Sequence, residues 1–170
     1  MVVVEDGTGK SDAISYAAVA QYKAYCDARG ISYAGISDTV IEQSLVKSTD
    51  AMVQMYSLRW SGQRLSPEIQ ALDFPRSMCE IKGRTAAGYA VYVPINAVPN
   101  DVINACIILA IESQSAALIP NLEPSVIREK IDVIEVEYDT SALPYTQFRS
   151  VDLMLKPYLK DDSGQLRIVR

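Results

Sequence analysis

Apolar side chains recur at helical spacing along most of this chain, and they predict a mainly α-helical fold. The first periodic segment predicts a helix from about Ala17 to Arg29, with Gly30 in the position that ends it. A second amphipathic helix is predicted from Ser37, a good N-cap, to about Tyr56. A third, from about Pro99 to Ala117, is apolar around most of its circumference, which is typical of a helix at the centre of a domain.

Shorter elements are predicted between and after these helices. Alternating apolar residues predict the best strand at 129–138, where the alternation slips by one position, as expected for a bulge or a change of partner. A last helix is predicted to begin at Ser150 and to kink or end at Pro157. The remaining predictions are strands at Val2–Val4 and Leu166–Val169, a short helix after Ser66, and a loop from Gly83 that leads into an extended piece at Tyr89–Val93.

The pattern as a whole predicts a mainly α fold, a helical bundle of roughly three to five helices with a small β extension and an extended C-terminal tail. The length of 170 residues suits one domain with a hydrophobic core. We predict a single helical-bundle domain over residues 1–160, with its β insertion around 129–138. Residues 161–170 are then a tail that could serve as a partner-binding strand.

Composition argues against most catalytic and metal-binding roles. The chain has no histidine, which is the commonest general base and metal ligand, so we expect no enzyme activity, no metal and no cofactor. Its three cysteines, an odd number without a CxxC spacing, are interpreted as structural thiols. No signal peptide is recognised and the longest apolar run, Ala105–Ile111, is too short for a bilayer, so we expect a soluble protein made in a cytoplasm, with no membrane partner.

A basic and aromatic segment lies directly after the second predicted helix. Arg59, Trp60, Arg64 and Arg76 surround a glycine there. Interleaved aromatic and basic side chains can stack on the bases of single-stranded nucleic acid and neutralise its phosphates. Two other interpretations fit the same residues. Trp60 could seal the core while the arginines pair with nearby acids, or the cluster could contact a protein partner.

Two further stretches are candidate partner surfaces. Glu135 and Glu137 belong to an acidic run on the predicted strand, which is either a solvated face or a surface turned towards a basic partner or a DNA channel. Arg167, Ile168 and Arg170 belong to the tail. Its alternating pattern suits addition to the sheet edge of another chain, including a second copy of this one.

A third stretch imitates a phosphate-binding loop. Gly9, Lys10 and Ser11 follow a valine-rich segment and precede a helix, as in a P-loop. The P-loop also needs a glycine five residues before Gly9, where this chain has Val4. We therefore interpret the stretch as an ordinary turn.

Several segments taken together resemble a family of tailed bacteriophages. The most specific are WSGQRLSP from Trp60 and QALDFPR from Gln70, accompanied by VEDGTG from Val4, INAVP from Ile95, and REKI with EVEY from Arg128. The family they resemble is often labelled DnaT-like single-stranded-DNA-binding protein. Its members look like head-to-tail adaptors, also called head completion or connector proteins, which lie beneath the portal.

The resemblance implies a structural virion protein that joins capsid to tail as a ring of roughly twelve copies. The implied partners are the portal protein, tail or nozzle proteins, further copies of the chain, and the viral double-stranded DNA that passes through the ring. The net charge of -5 suits such a channel, because an acidic lumen repels phosphate at close range. The alternative is a phage replication accessory protein that binds single-stranded DNA through Arg59, Trp60, Arg64 and Arg76.

Overall fold

Four helices form the body of the part of the chain that the structure describes. This structure is a computed structural model, and it describes residues 2–119 and 148–160 together with the backbone of strands at 128–131 and 134–137. The predicted mainly α fold with small β elements is confirmed. The helices are α1 (Val19–Arg29), α2 (Asp38–Tyr56), α3 (Asn100–Glu112) and α4 (Arg149–Leu155), and α4 continues into a 3-10 turn at Lys156–Tyr158.

The ends of the first two helices follow from their sequence. Gly30 ends α1 in the left-handed conformation, with φ of 65°, which glycine adopts without a steric penalty. The Ser37 side chain accepts a hydrogen bond from the Val40 N–H at 3.4 Å and so caps α2 as predicted. In contrast, α3 ends five residues before Ala117. The hydroxyls of Ser113 and Ser115 donate to the carbonyls of Ala110 and Glu112, which competes with continued helix.

Helix α3 lies at the centre of the bundle and packs against α1, α2 and α4, so its predicted central position is confirmed. Its apolar side chains account for much of the core. On the α2 side the Cys106 thiol lies 3.1 Å from the Ser48 hydroxyl and 3.4 Å from that of Thr49, so small polar side chains allow close approach of the two helices. The buried residues of α3 are Val102, Ala105, Cys106, Ile107, Leu109 and Ala110.

The strands form three antiparallel pairs among the described residues. Two predictions need correction here. The segment predicted as a loop from Gly83 is a strand paired with the predicted extended piece, because Ala87 and Gly88 adopt the positive φ values of a two-residue hairpin turn. The single strand predicted at 129–138 is a hairpin, so the slip in alternation marks a reversal of the chain and not a bulge. The pairs are β1 (Gln63–Arg64) with β2 (Arg76–Ser77), β3 (Glu80–Ala86) with β4 (Tyr89–Tyr92), and β5 (Arg128–Ile131) with β6 (Ile134–Glu137).

Two minor elements also differ from prediction. In the predicted first strand only Val4 makes a bridge, to Ser15. The predicted helix after Ser66 is a turn. The Gln70 side chain accepts from the Ser66 N–H and donates to two carbonyls further along the chain, which draws the backbone out of a helical path. The strand predicted at 166–169 lies outside the described residues.

The end of α4 is fastened beside α2 and β3. The Ser61 N–H donates to the Tyr158 carbonyl at 2.9 Å, and the Lys160 N–H donates to the Arg59 carbonyl at 2.7 Å. The Tyr158 hydroxyl donates to Asp101 at 2.6 Å, which ties the same turn to the start of α3. The 3-10 turn also packs on β3. These contacts bring together side chains that are about a hundred residues apart in sequence.

Candidate functional site

Trp60 belongs to the core. Its side chain is only 1% exposed, and its ring lies between Tyr56 and Phe74, with centroid distances of 5.8 Å and 5.0 Å. The indole Nε1–H donates to the Asp73 carboxylate at 3.2 Å, so its one polar group is satisfied internally. Trp60 in this position offers no face on which a base could stack.

Asp73 organises the surrounding polar groups. Its buried carboxylate also accepts from the Ser57 hydroxyl at 3.0 Å and from the Arg64 guanidinium at 2.9 Å. The Tyr16 hydroxyl accepts from the Asp73 backbone N–H at 2.9 Å. A buried carboxylate with several donors is fully compensated, and this one links the end of α2 to the segment before β2.

Arg76 is a buried structural cation. Its guanidinium donates to the carbonyls of Ser61, Gly62 and Asp73 at 2.8, 2.8 and 3.1 Å. Gly62 is required at its position because its φ is 66° and a Cβ there would lie 2.3 Å from the Ser77 carbonyl oxygen. The WSGQR and DFPR motifs therefore form one buried cluster of contacting residues. This agrees with the interpretation in which Trp60 seals the core.

Of the four residues in the basic-aromatic segment, only Arg59 is exposed, and it lies in a different cluster of cations. We name this cluster the basic groove. It is an open depression of about 550 Å³ between the end of α2, β3 and the end of α4. It is lined by Arg59, Lys82, Gly83, Asp152, Leu153, Lys156, Pro157, Leu159 and Lys160.

The contacts in the basic groove hold part of its charge in place. The Arg59 guanidinium lies 5.3 Å from the centroid of the Tyr56 ring, and Lys160 Nζ donates to the Leu58 carbonyl at 3.2 Å. Asp152, the lining carboxylate among the described residues, accepts a hydrogen bond from the Tyr56 hydroxyl at 2.7 Å. Burial, and then this hydrogen bond, raise the pKa of Tyr56, so the phenol stays neutral.

Charge is strongly segregated between the groove and the rest of the chain. Among the described residues, the groove holds four basic residues and one acidic residue. The rest of residues 2–119 and 148–160 holds eight basic and twelve acidic residues. A cationic depression in an otherwise acidic molecule attracts anions locally despite the net charge.

Sequence reasoning identified Arg59 in this groove and missed its three lysines. Lys82 lies just before the predicted loop, and it reaches the groove because it belongs to β3, which packs on the 3-10 turn. Lys156 and Lys160 are four residues apart at a helix end, a spacing that could have drawn attention to them. Their distance from Arg59 in sequence hides the cluster until the chain is folded.

In the loop that resembles a P-loop, the backbone N–H groups already donate to a side chain of this protein. The buried Glu5 carboxylate accepts from the backbone N–H groups of Gly7 and Gly9 at 2.9 Å each and of Lys10 at 2.8 Å. Lys10 Nζ lies 2.8 Å from the Asp6 carboxylate. An internal carboxylate thus takes the place that a phosphate would occupy in a P-loop, and the interpretation as a turn is confirmed.

The remaining candidate residues belong to the β5–β6 hairpin or to the tail. In the β5–β6 register, Glu135 lies opposite Lys130 and Glu137 lies opposite Arg128. Arg167, Ile168 and Arg170 lie outside the described residues. The three cysteines are free and buried, and burial raises the pKa of each thiol, as expected for structural thiols.

Within the described ranges, no cluster of three or more His, Cys, Asp or Glu side chains could hold a metal ion. In the same part of the chain, no helix is long and apolar enough to cross a membrane.

Fold and groove together define a small helical domain with a cationic surface depression. The model of the family described as "Putative DnaT-like ssDNA binding protein" matches residues 1–170, and the chain belongs to this family. No curated protein and no solved structure matches it. The resemblance to this family noted in the sequence is confirmed, whereas nothing in these comparisons shows a head-to-tail adaptor.

Proposed function

We propose that this protein binds single-stranded DNA and that the basic groove holds the phosphate backbone. The observation that carries the proposal is the convergence of Arg59, Lys82, Lys156 and Lys160 on one depression of an acidic chain. Membership of a family described as DNA-binding supports it. This is the function of a non-catalytic binding protein. In it, three lysines of the groove take the DNA-binding role that the sequence suggested for the buried Trp60 and Arg76 and the half-buried Arg64.

The groove is suited to a flexible single strand. Lysine and arginine side chains at its rim can follow phosphates whose spacing is not fixed by a duplex. The exposed apolar side chain of Leu153 and the ring of Pro157 supply a non-polar floor beside the charges. The acidic remainder of the surface opposes non-specific adsorption of nucleic acid, so binding should be confined to this site.

The salt dependence of binding tests the proposal quantitatively. Four phosphate contacts to a single strand give a slope of log K against log salt of about -3, at about 0.7 per contact. A fourfold increase in salt should then weaken binding by about fifty-fold. In the double variant Lys156→Ala/Lys160→Ala the slope should fall by about half, and the same salt increase should weaken binding only about sevenfold. Fluorescence anisotropy with a labelled oligothymidylate measures both slopes.

Lys47→Ala is the matched control, since this exposed lysine lies on α2 and lines a different depression from the basic groove. It should keep the wild-type slope and affinity. Absence of measurable binding by the wild-type protein at low salt would refute the proposal. Equal slopes for the double variant and the Lys47→Ala control would show that DNA binds elsewhere.

A second candidate function is that of a head-to-tail adaptor in the virion, and the segregation of charge favours it. A cationic face and an acidic remainder are complementary, and head-to-tail contacts between such faces generate closed rings. A ring of roughly twelve copies would match the portal, with tail or nozzle proteins below it and double-stranded DNA in its channel. In this function the groove binds a neighbouring subunit instead of DNA.

Counting the protein in purified virions separates the two functions. Quantitative mass spectrometry should find as many copies as portal subunits if the protein is an adaptor. Its absence from particles, while it is abundant in infected cells, would eliminate the adaptor and leave the DNA-binding function.

A further inference from the structure

The two outer edges of the β3–β4 hairpin differ in how readily each could pair with a further strand. Its outer half is exposed on both faces, from Gly83 to Ala90. Strand β3 carries charged residues, a glycine and an irregular register, all of which discourage pairing with another strand. Strand β4 reads Tyr-Ala-Val-Tyr and carries neither a charge nor a proline. An exposed strand edge without these features is a template for another strand.

The groups that β4 turns outward can be identified from the hairpin geometry. Ala86 and Tyr89 flank the two-residue loop, and such a pair exchanges both of its backbone hydrogen bonds across the hairpin. The Val93 N–H also points inward and donates to the Cys79 carbonyl at 2.8 Å. Alternate residues therefore point the other way, and the N–H and C=O groups of Ala90 and Tyr92 face outward.

We propose that the outer edge of β4 binds residues 165–169 of a second copy of this chain as an added strand. These residues alternate apolar Leu166 and Ile168 with Arg167, a period suited to a strand. Arg167 of this segment is repelled by the edge of β3, where Lys82 and Arg84 lie, and is not repelled by the uncharged β4. Charge thus selects the edge.

The path of the chain favours a second copy as the source of the added strand. Lys160, the last described residue, lines the basic groove beside Lys82 and Gly83 of β3. Among the described elements, the 3-10 turn that leads to Lys160 packs on β3 and not on β4, so the tail of the same copy starts on the side of the hairpin opposite to the β4 edge. The segment of a second copy can approach that edge without this restriction. This assembly goes beyond the proposed binding of DNA and does not depend on it.

Cross-linking between two different variants tests the assembly in the full chain. One preparation carries Ala90→Cys and the other carries Ile168→Cys, and the native cysteines are all buried. Mixing the two with a short bismaleimide should yield a cross-linked dimer. A mixture in which Ser32→Cys, at an exposed position in the loop between α1 and α2, replaces Ala90→Cys is the control and should yield none. Failure to cross-link above this control would overturn the proposal.

Sedimentation velocity supplies an independent measurement. Ala90→Pro removes an outward N–H without removing a hydrogen bond of the hairpin, and should weaken self-association at least about tenfold. Ala90→Ser keeps the N–H and should associate as the wild type does. Equal association of these two variants would also overturn the proposal. So would a wild-type chain that stays monomeric while the Ala90→Cys/Ile168→Cys double variant cross-links within one molecule.

Discussion

Replacement of Trp60 with alanine is expected to lower the free energy of unfolding by about 3 to 5 kcal/mol, the usual cost of removing a large buried aromatic side chain. The ring is 1% exposed and fills the space between Tyr56 and Phe74. Its loss leaves a cavity and takes one donor from Asp73. For a chain of this length the midpoint of thermal unfolding should fall by between about 6 and 20 °C.

Two further variants show whether the loss of stability comes from the burial of Trp60. Trp60→Phe keeps an aromatic ring in the core and should cost less than the alanine variant. Tyr89→Ala removes an aromatic side chain that is 77% exposed, and the free energy of unfolding should change by no more than about 0.5 kcal/mol. A Trp60→Ala protein with wild-type stability that had lost DNA binding would restore the hypothesis that Trp60 stacks on bases.

Asp73→Ala is expected to cost about 3 to 5 kcal/mol of unfolding free energy, because it removes a buried carboxylate that accepts hydrogen bonds from three side chains. The variant leaves the Trp60 indole N–H and the Ser57 hydroxyl without their acceptor, and Arg64 without its counter-ion. Asp73→Asn preserves the volume and one acceptor oxygen, so it should lose less, about 2 to 3 kcal/mol. Urea denaturation followed by tryptophan fluorescence measures both differences.

The exposed carboxylate of Glu68 provides the control, since Glu68→Gln should change the stability by less than about 0.5 kcal/mol. A double-mutant cycle with Arg64→Met isolates the ion pair and should give a coupling of about 1 to 3 kcal/mol. An additive pair of substitutions would show that Asp73 acts only through Ser57 and Trp60.

Substitutions of Trp60 and Asp73 test the same buried cluster. This cluster explains where sequence reasoning about the site succeeded and where it failed. The motifs around Trp60 and Asp73 were recognised as specific, and they are, because each residue has a defined contact within the fold. Specificity of this kind does not distinguish a packing role from a binding role. Burial distinguishes them, and burial is a property of the folded chain.

The bounds of the helices were predictable because their determinants are local. The position of Gly30 after α1 and of Ser37 before α2 sets those ends within a few residues. The predicted end of α3 lies too far along the chain. Apolar periodicity gives no sign that serine hydroxyls compete for the backbone carbonyls at the helix end. The β3–β4 hairpin was half missed because its turn uses Ala87 in place of the asparagine or glycine that usually marks such turns.

The helical class of the fold, the central position of α3 and the family of the protein can be inferred from the amino-acid sequence alone. These features rest on patterns of neighbouring residues and on ordered motifs, and both can be recognised without coordinates. The burial of Trp60 and Arg76, and the position of Arg59 beside the three lysines of the groove, can be seen only in the folded chain. A binding surface gathers side chains from distant segments, and that gathering is fixed by the packing of α4 and its 3-10 turn against β3 and α3.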